Sequence, residues 1–292
     1  MMDLGMKIHL VSVVGASARL LPHMLAHYRG LGIESFLIHA HLSLPDDPVL
    51  HEIQRITDEF GCGIASVTIG PWTQDVNPAL YARSRSARPG DWFVIADQDE
   101  LQEYPHNLHP MIEECESRGF DYIEGGFLDR LAADGTFPDV AGDPSLQEQF
   151  PLGGFLSTPI LDANPNKIVV AKGHVGVAPG QHWATSGRGW PADELYVPVH
   201  HFKWTGGVVE SLERRTAFYK SAGDPLWQES ARFLDYCRFH NGRIDISDPL
   251  LWIAPCSPSY PHWQTLTSLC LQRARAAFDP SAPPPPVAPS TR

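Results

Sequence analysis

Along its first 130 residues the chain alternates short apolar runs with stretches whose apolar positions recur at helical spacing. Ile8–Val14 is a β-branched run closed by Gly15-Ala16-Ser17, which predicts a strand buried on both faces and a turn behind it. Leu20, Leu21, Met24, Leu25, Tyr28 and Leu31 then fall on one helical face. Ser17 is placed to cap that helix, and Gly30 and Gly32 to stop it. Glu34–Ala40 predicts a second strand. The rhythm repeats with a helix over Val49–Phe60, a strand over Ile64–Ile69, a helix over Asn77–Ala87 and a strand over Trp92–Ala96. Leu108–Ser117 and Phe120–Phe127 continue it. Strand, helix, strand in succession is the βαβ unit, so the fold class is α/β with helices flanking a sheet.

Beyond residue 130 the rhythm changes. Residues 131–200 are rich in Gly and Pro, with strands expected over Lys167–Ala171 and Leu195–Phe202. Val208–His240 reads as charged helix, and Ser281–Arg292, with four consecutive prolines, as an extended tail. The expected organisation is a catalytic domain over 1–205, a helical extension over 206–278 packed on it, and a disordered tail over 279–292.

Charge and cysteine usage narrow the function classes. A formal net charge of −12 argues against a nucleic-acid partner or an anionic-membrane surface. The 5 Cys are scattered without C-x-x-C spacing, which indicates neither a disulfide framework nor a zinc knuckle. The apolar run near the N-terminus is too short for a leader, and no stretch reaches the roughly 20 apolar residues of a transmembrane segment. The expected location is the cytoplasm.

The chemistry concentrates at Asp97-Gln98-Asp99-Glu100, directly after the apolar strand Trp92–Ala96. Ligands of open α/β sheets bind at the carboxyl ends of the strands. Three carboxylates within four residues repel one another unless a cation or solvent compensates them. Continued strand geometry would point Asp97 and Asp99 the same way, which suits a divalent ion, and hard oxygen ligands favour Mg²⁺ or Mn²⁺.

That D-x-D-E, with Leu21–Ile33 before it, Phe127-Leu128-Asp129-Arg130 and Asp134-Gly135 after it, and His200-His201-Phe202 late in the domain, resembles the GT-A fold glycosyltransferases, and among them the family-2-like enzymes. The resemblance spans roughly residues 6–220. It implies a Rossmann-like nucleotide-diphospho-sugar transferase fold with a mixed sheet and a C-terminal helical extension. It also implies a UDP- or GDP-type nucleotide-sugar donor, a hydroxyl-bearing acceptor, and Mn²⁺ or Mg²⁺. Asp97 would lie near the donor ribose and the metal, Asp99 would coordinate the metal, and His201 would complete its shell. Val14 and Gly15 would contact the donor. The chain departs from the family at two places. Gly15-Ala16-Ser17 stands where an Asn-Glu pair is usual, and His39-Ala40-His41 where an acidic residue is usual, which leaves the donor base open.

Other candidates come from the residues themselves. Adjacent strand residues face opposite ways, so only one of His200 and His201 enters a site. A diphosphate leaving group needs further cations, and Arg83, Arg85, Lys167 and Lys172 are available; Lys172 is preferred, with Arg83, because it directly follows an apolar strand. An inverting transfer needs a carboxylate to deprotonate the acceptor, with Asp129 leading and Asp193, Glu194 and Glu124 behind it. Trp183, Trp190 and Trp204 are equally suited to core packing and to stacking on sugar rings. The alternative readings are a sugar nucleotidyltransferase and a non-catalytic nucleotide- or sugar-binding module.

Overall fold

A computed structural model describes residues 7–257 and 260–278 of the chain. The Pro-rich tail expected over 279–292 lies outside the described residues. Ten strands form one mixed sheet: β1 (Ile8–Val14), β2 (Ser35–Leu42), β3 (Ser66–Ile69), β4 (Trp92–Ile95), β5 (Glu100–Gln102), β6 (Tyr122–Leu131), β7 (Leu152–Gly154), β8 (Asn166–Lys172), β9 (Val197–His201) and β10 (Ala254–Pro255). Eight α-helices accompany them among the described residues: α1 (Leu21–Gly30), α2 (Val49–Glu59), α3 (Val76–Ser86), α4 (Leu108–Ser117), α5 (Leu146–Gln149), α6 (Val208–Ser221), α7 (Trp227–Phe239) and α8 (Trp263–Phe278).

The main path of the sheet runs β10-β7-β6-β8-β4-β1-β2-β3, with β9 joined to β6 and β5 joined to β9. β1 pairs in parallel with β2 and β4, and β2 with β3. β8 is inserted antiparallel between β4 and β6, so β6 points the same way as β4, and β9 is parallel to β6. The carboxyl ends of β1, β2, β3, β4, β6 and β9 therefore share one edge, and the amino end of β8 joins them there.

Every residue of β1 and β4 is buried, as continuous apolar runs in central strands require. Gly15 follows β1 because nothing larger fits: a Cβ there would stand 2.1 Å from the His41 carbonyl oxygen. The expected Ser17 cap is not made. The chain kinks through Ala16 at φ 52°, and α1 starts at Leu21 with Pro22 in its first turn and no side-chain cap. The expected helix over 208–240 is two helices, because Gly223 takes φ +69° and Pro225 has no N–H to continue the ladder.

Three helices of the extension join cores already formed by the sheet. Leu212, Phe233 and Cys237 pack with Leu131, Leu156 and Trp204, and Leu266 and Cys270 pack with Leu128, Phe155 and Tyr196. The five cysteines are free thiols. Among the described residues no helix is long and apolar enough to cross a membrane.

Candidate functional site

The chain leaves β4 at Ile95 and turns: the Glu100 amide donates to the Asp97 carbonyl at 3.0 Å, and β5 then pairs with β9, Glu100 opposite His201. The turn corrects the expectation of one shared carboxylate face. Asp97 points toward α3, where its Oδ1 accepts from the Tyr81 hydroxyl at 2.7 Å and the Asn77 amide at 3.1 Å. Asp99 points toward β9, its Oδ2 3.6 Å from His201 Nε2. Glu100 is buried and pairs with Lys167 Nζ at 2.8 Å. The three acids tolerate their proximity because each faces a different partner.

Lys167 is the cation of the cluster. It is 3% exposed, 3.8 Å from Asp97 Oδ2, and stacked over the Phe127 ring. Burial opposes its charge, yet Glu100 and Asp97 hold its ammonium above the ordinary lysine range. Burial, together with Asp97 and Asp99 nearby, pushes the Glu100 carboxyl up to about 7 against the pull of Lys167. The preferred Lys172 lies at the opposite edge. It pairs with Glu116 at 3.1 Å and packs over Trp92, at the start of β4. The reason is direction: β8 is antiparallel, so its first residues reach the site and its last residues leave it.

Behind Asp99 stands a buried relay. His201 donates from Nδ1 to Asp129 Oδ1 at 2.9 Å and stacks on Phe127, ring centroids 4.2 Å apart. The Asp129 carboxylate also accepts from Trp204 Nε1 at 2.8 Å and from the Leu156 amide at 2.9 Å. Burial would raise Asp129, but the His201 hydrogen bond and charge, joined by these donors, hold it below the usual carboxylate range. Burial likewise opposes protonation of His201, and the two flanking carboxylates outweigh it, raising the imidazole above its ordinary value. His200 faces the other way, to Glu103 at 2.7 Å and Arg130 at 3.3 Å, as strand alternation requires.

Asp97, Gln98 and Asp99 open onto a cleft of about 790 Å³. Its inner wall includes Val13, Gly15, Asp97 and Asp99; Lys203, Arg214 and Arg215 line it from the β9–α6 side. Burial, and then Arg215, lower the Lys203 ammonium. Arg215 stacks on Trp72 and Tyr219, joining the two sides of the mouth.

The expected site residues thus separate. Asp97, Asp99 and Gly15 line the cleft, His201 lies buried behind Asp99, and Val14 is buried beside Gly15. Asp129 is fully buried behind His201 and does not reach the cleft, which corrects its assignment as the acceptor's base. Asp193 is exposed ahead of β9, at the opposite edge of the sheet, and its neighbour Glu194 pairs with Arg118. Arg83 is exposed on α3 and lies outside the cleft wall, and Arg85 is buried against the Val175 carbonyl. Trp204 and Trp190 are core residues. Tyr81, Asn77, Lys203, Arg214 and Arg215 were not among the expected site residues; the i, i+4 spacing of Asn77 and Tyr81 on α3 is the one local signal that pairs any of them.

Asp99 and His201 are the side chains disposed toward a cation, and the buried carboxylate behind His201 is the usual support of a metal-binding imidazole. Among the described residues, no group of three or more His, Cys, Asp or Glu side chains is arranged to hold a metal ion. The pair fits an ion whose remaining ligands are phosphate oxygens and water, the manner in which Mg²⁺ is commonly held.

No protein-family profile matches the chain, and no curated protein matches it. Among solved structures it is similar to S. aureus TarS residues 1–349, with 12% identity and a TM-score of 0.33, over 57% of this chain and 47% of that one. It is also similar to a protein described as a glucose-1-phosphate thymidylyltransferase from Bacillus anthracis, with 11% identity and a TM-score of 0.29, over 93% and 95%. A third, HddC from Yersinia pseudotuberculosis, has 12% identity and a TM-score of 0.27, over 46% and 65%. The chain spans about half the length of the TarS chain it matches. At these scores the likeness carries no argument about activity.

Proposed function

We propose that the cleft binds a nucleotide-diphosphate sugar and that the protein transfers the sugar to an acceptor hydroxyl. The carrying observation is Asp99 at the carboxyl edge of the sheet, backed by the buried His201–Asp129 pair and sharing one cleft with Lys203, Arg214 and Arg215. The diphosphate of a nucleotide sugar carries two negative charges and gains a third as the sugar leaves, and cations placed where that charge develops lower the barrier. The basic residues on α6 and after β9 occupy that role, with a divalent ion as the second source of positive charge.

Asp99 and His201 would hold Mn²⁺ or Mg²⁺, and the ion would neutralise the diphosphate oxygens. Asp129 is a positioning residue: it fixes the imidazole tautomer and keeps Nε2 turned toward Asp99. Asp97, tied to α3 through Tyr81 and Asn77, shapes the wall beside the donor. Removal of the acceptor proton falls to a carboxylate that lines the cleft, a set that includes Asp97 and Asp99 and excludes Asp129 and Asp193.

A sugar nucleotidyltransferase would need the loop after β1 to deliver a cation to phosphate. Arg19 lines the cleft on that loop, exposed and paired with Asp139, so the product released, nucleoside diphosphate or pyrophosphate, separates the two readings. The test is calorimetric titration of nucleoside diphosphates with and without Mn²⁺, followed by release of nucleoside diphosphate from nucleotide sugars. Metal-dependent binding with slow release in water, accelerated by an acceptor, is expected. Binding without release would make the protein a binding module instead.

A further inference from the structure

A second concavity, of about 380 Å³, lies on the face of β9 turned away from Asp99 and His201. Strand alternation puts Pro198 and His200 on that face, and the pairing with β6 sets Leu128 beside His200. Trp263 and Gln264, the first residues of α8, form the facing wall, and Glu103, directly after β5, completes the lining. The volume falls within the range of small-molecule sites, roughly 300–1,000 Å³.

An array reaching out of the core fixes the Glu103 carboxylate. Arg130 is 3% exposed; its Nη2 donates to the Phe150 carbonyl at 2.6 Å and its Nη1 meets His200 Nδ1 at 3.3 Å. A guanidinium only donates, so Nδ1 accepts and the imidazole keeps its proton on Nε2. That Nε2–H donates to Glu103 Oε2 at 2.7 Å. Glu103 is thus the carboxylate that faces Arg130, one imidazole away. The His200 hydrogen bond, against partial burial, holds the Glu103 carboxyl below its usual range.

The Glu103 side chain is 47% exposed, and its Oε1 has no protein partner among the described residues. Arg130 already balances its charge, so the carboxylate calls for hydrogen-bond donors rather than for a cation. No Lys or Arg stands among the described lining residues, so an anionic ligand would meet Glu103 without compensation. The remaining walls are hydrocarbon and aromatic: Leu128, Pro198, Pro261 and Trp263, whose indole packs on Tyr196 with ring centroids 5.7 Å apart. Tyr260 adds only its ring, because its hydroxyl is taken by the Gly153 carbonyl at 3.0 Å. We infer that this pocket binds a neutral sugar ring, its C–H face against Trp263 and a hydroxyl donating to Glu103 Oε1, at a position separate from the transfer cleft. A sugar carries donors on its edge and hydrocarbon on its face, which is the pairing these walls present.

Ligand-observed NMR on the full chain tests this with the methyl glycosides of glucose, galactose, mannose and N-acetylglucosamine, beside glucuronate and glucosamine. At least one neutral glycoside is expected to bind, with a Kd on the order of 1 mM. Glucuronate should bind at least about tenfold more weakly than methyl glucoside. Glu103→Gln should weaken the neutral glycoside about tenfold, because His200 takes the amide oxygen and the NH₂ group then faces the ligand. Trp263→Ala should cost at least as much. Thermal unfolding of each variant separates loss of the pocket from loss of the fold, and the comparison among sugars needs no variant. Binding by no neutral glycoside, equal binding of glucuronate, or stronger binding of glucosamine would overturn the inference. So would binding that both folded variants leave unchanged. The cleft is decided by nucleoside-diphosphate binding, so either assignment can fail without the other.

Discussion

His201 stands between two carboxylates, its Nδ1 2.9 Å from Asp129 and its Nε2 3.6 Å from Asp99. One carboxylate is fully buried and the other reaches the cleft, so a single imidazole couples the core to the site. The two acids should differ in what their substitution costs the fold.

Asp129→Asn replaces an acceptor of several converging N–H groups with an amide that brings donors of its own. At a fully buried position that conflict is expected to cost roughly 3 kcal/mol. Chemical denaturation should report the loss, and nucleotide binding should fall with it because His201 loses its orientation. A variant of unchanged stability would contradict the buried hydrogen-bond network.

Asp99→Asn should spare the fold. Its side chain is 27% exposed and its ion-pair partner is His201, so stability is expected to change by no more than about 0.5 kcal/mol. Transfer and metal-dependent nucleotide binding should be abolished. Wild-type turnover at saturating Mn²⁺ would remove Asp99 from the metal role.

The two adjacent histidines supply a matched pair. His201→Ala should raise the Mn²⁺ concentration needed for half-maximal activity, with partial rescue by excess metal. His200→Ala, whose partners are Glu103 and Arg130, should leave that titration in place. Protons compete with metal for the imidazole, and the flanking carboxylates raise its affinity for a proton. The metal requirement is therefore expected to climb as pH falls, beginning above the ordinary histidine value of 6.5. Equal effects of the two substitutions would refute the assignment of facing.

Lys167 and Glu100 form the buried pair of the cluster. Lys167→Met leaves Glu100 buried without its cation, a loss of about 3 kcal/mol, and adding Glu100→Gln should recover a large part. The pH dependence follows from Glu100 itself. Its folded value, about 7, lies above the reference of 4.5, so the folded state holds the proton more strongly. This group's contribution is fully present below 4.5 and is lost as pH rises through 7. Glu100→Gln should flatten that part of the stability profile, and urea titrations between pH 4 and 8 can measure it.

Much of the scaffold was legible in the sequence. Ile8–Val14 and Trp92–Ile95 announce themselves because central strands are apolar on both faces, and Asp97–Glu100 was found from its place behind one of them. Strand direction was not legible. Nothing local distinguishes an antiparallel β8 from a parallel one, and of its two lysines the preferred Lys172 leaves the site edge, while Lys167 pairs with Glu100 there. The three residues of β5 carry no strand signal of their own, because a short polar segment has little intrinsic strand preference and is held there by its pairing with β9. Asp129 is the leading candidate base in the sequence, whereas its partners come from residues 156, 157, 201 and 204, which no short window brings together.

The insertion of β8 between β4 and β6 also sets an order of assembly. As the chain leaves the ribosome, Asp97, Asp99 and Glu100 emerge about seventy residues before Lys167, and about a hundred before His201. Until residues 166–172 arrive, β4 and β6 have no strand between them and Glu100 has no cation. The acid turn therefore stays hydrated in the nascent chain, and its burial belongs to a late, non-local folding step of the kind that slows closure of a sheet.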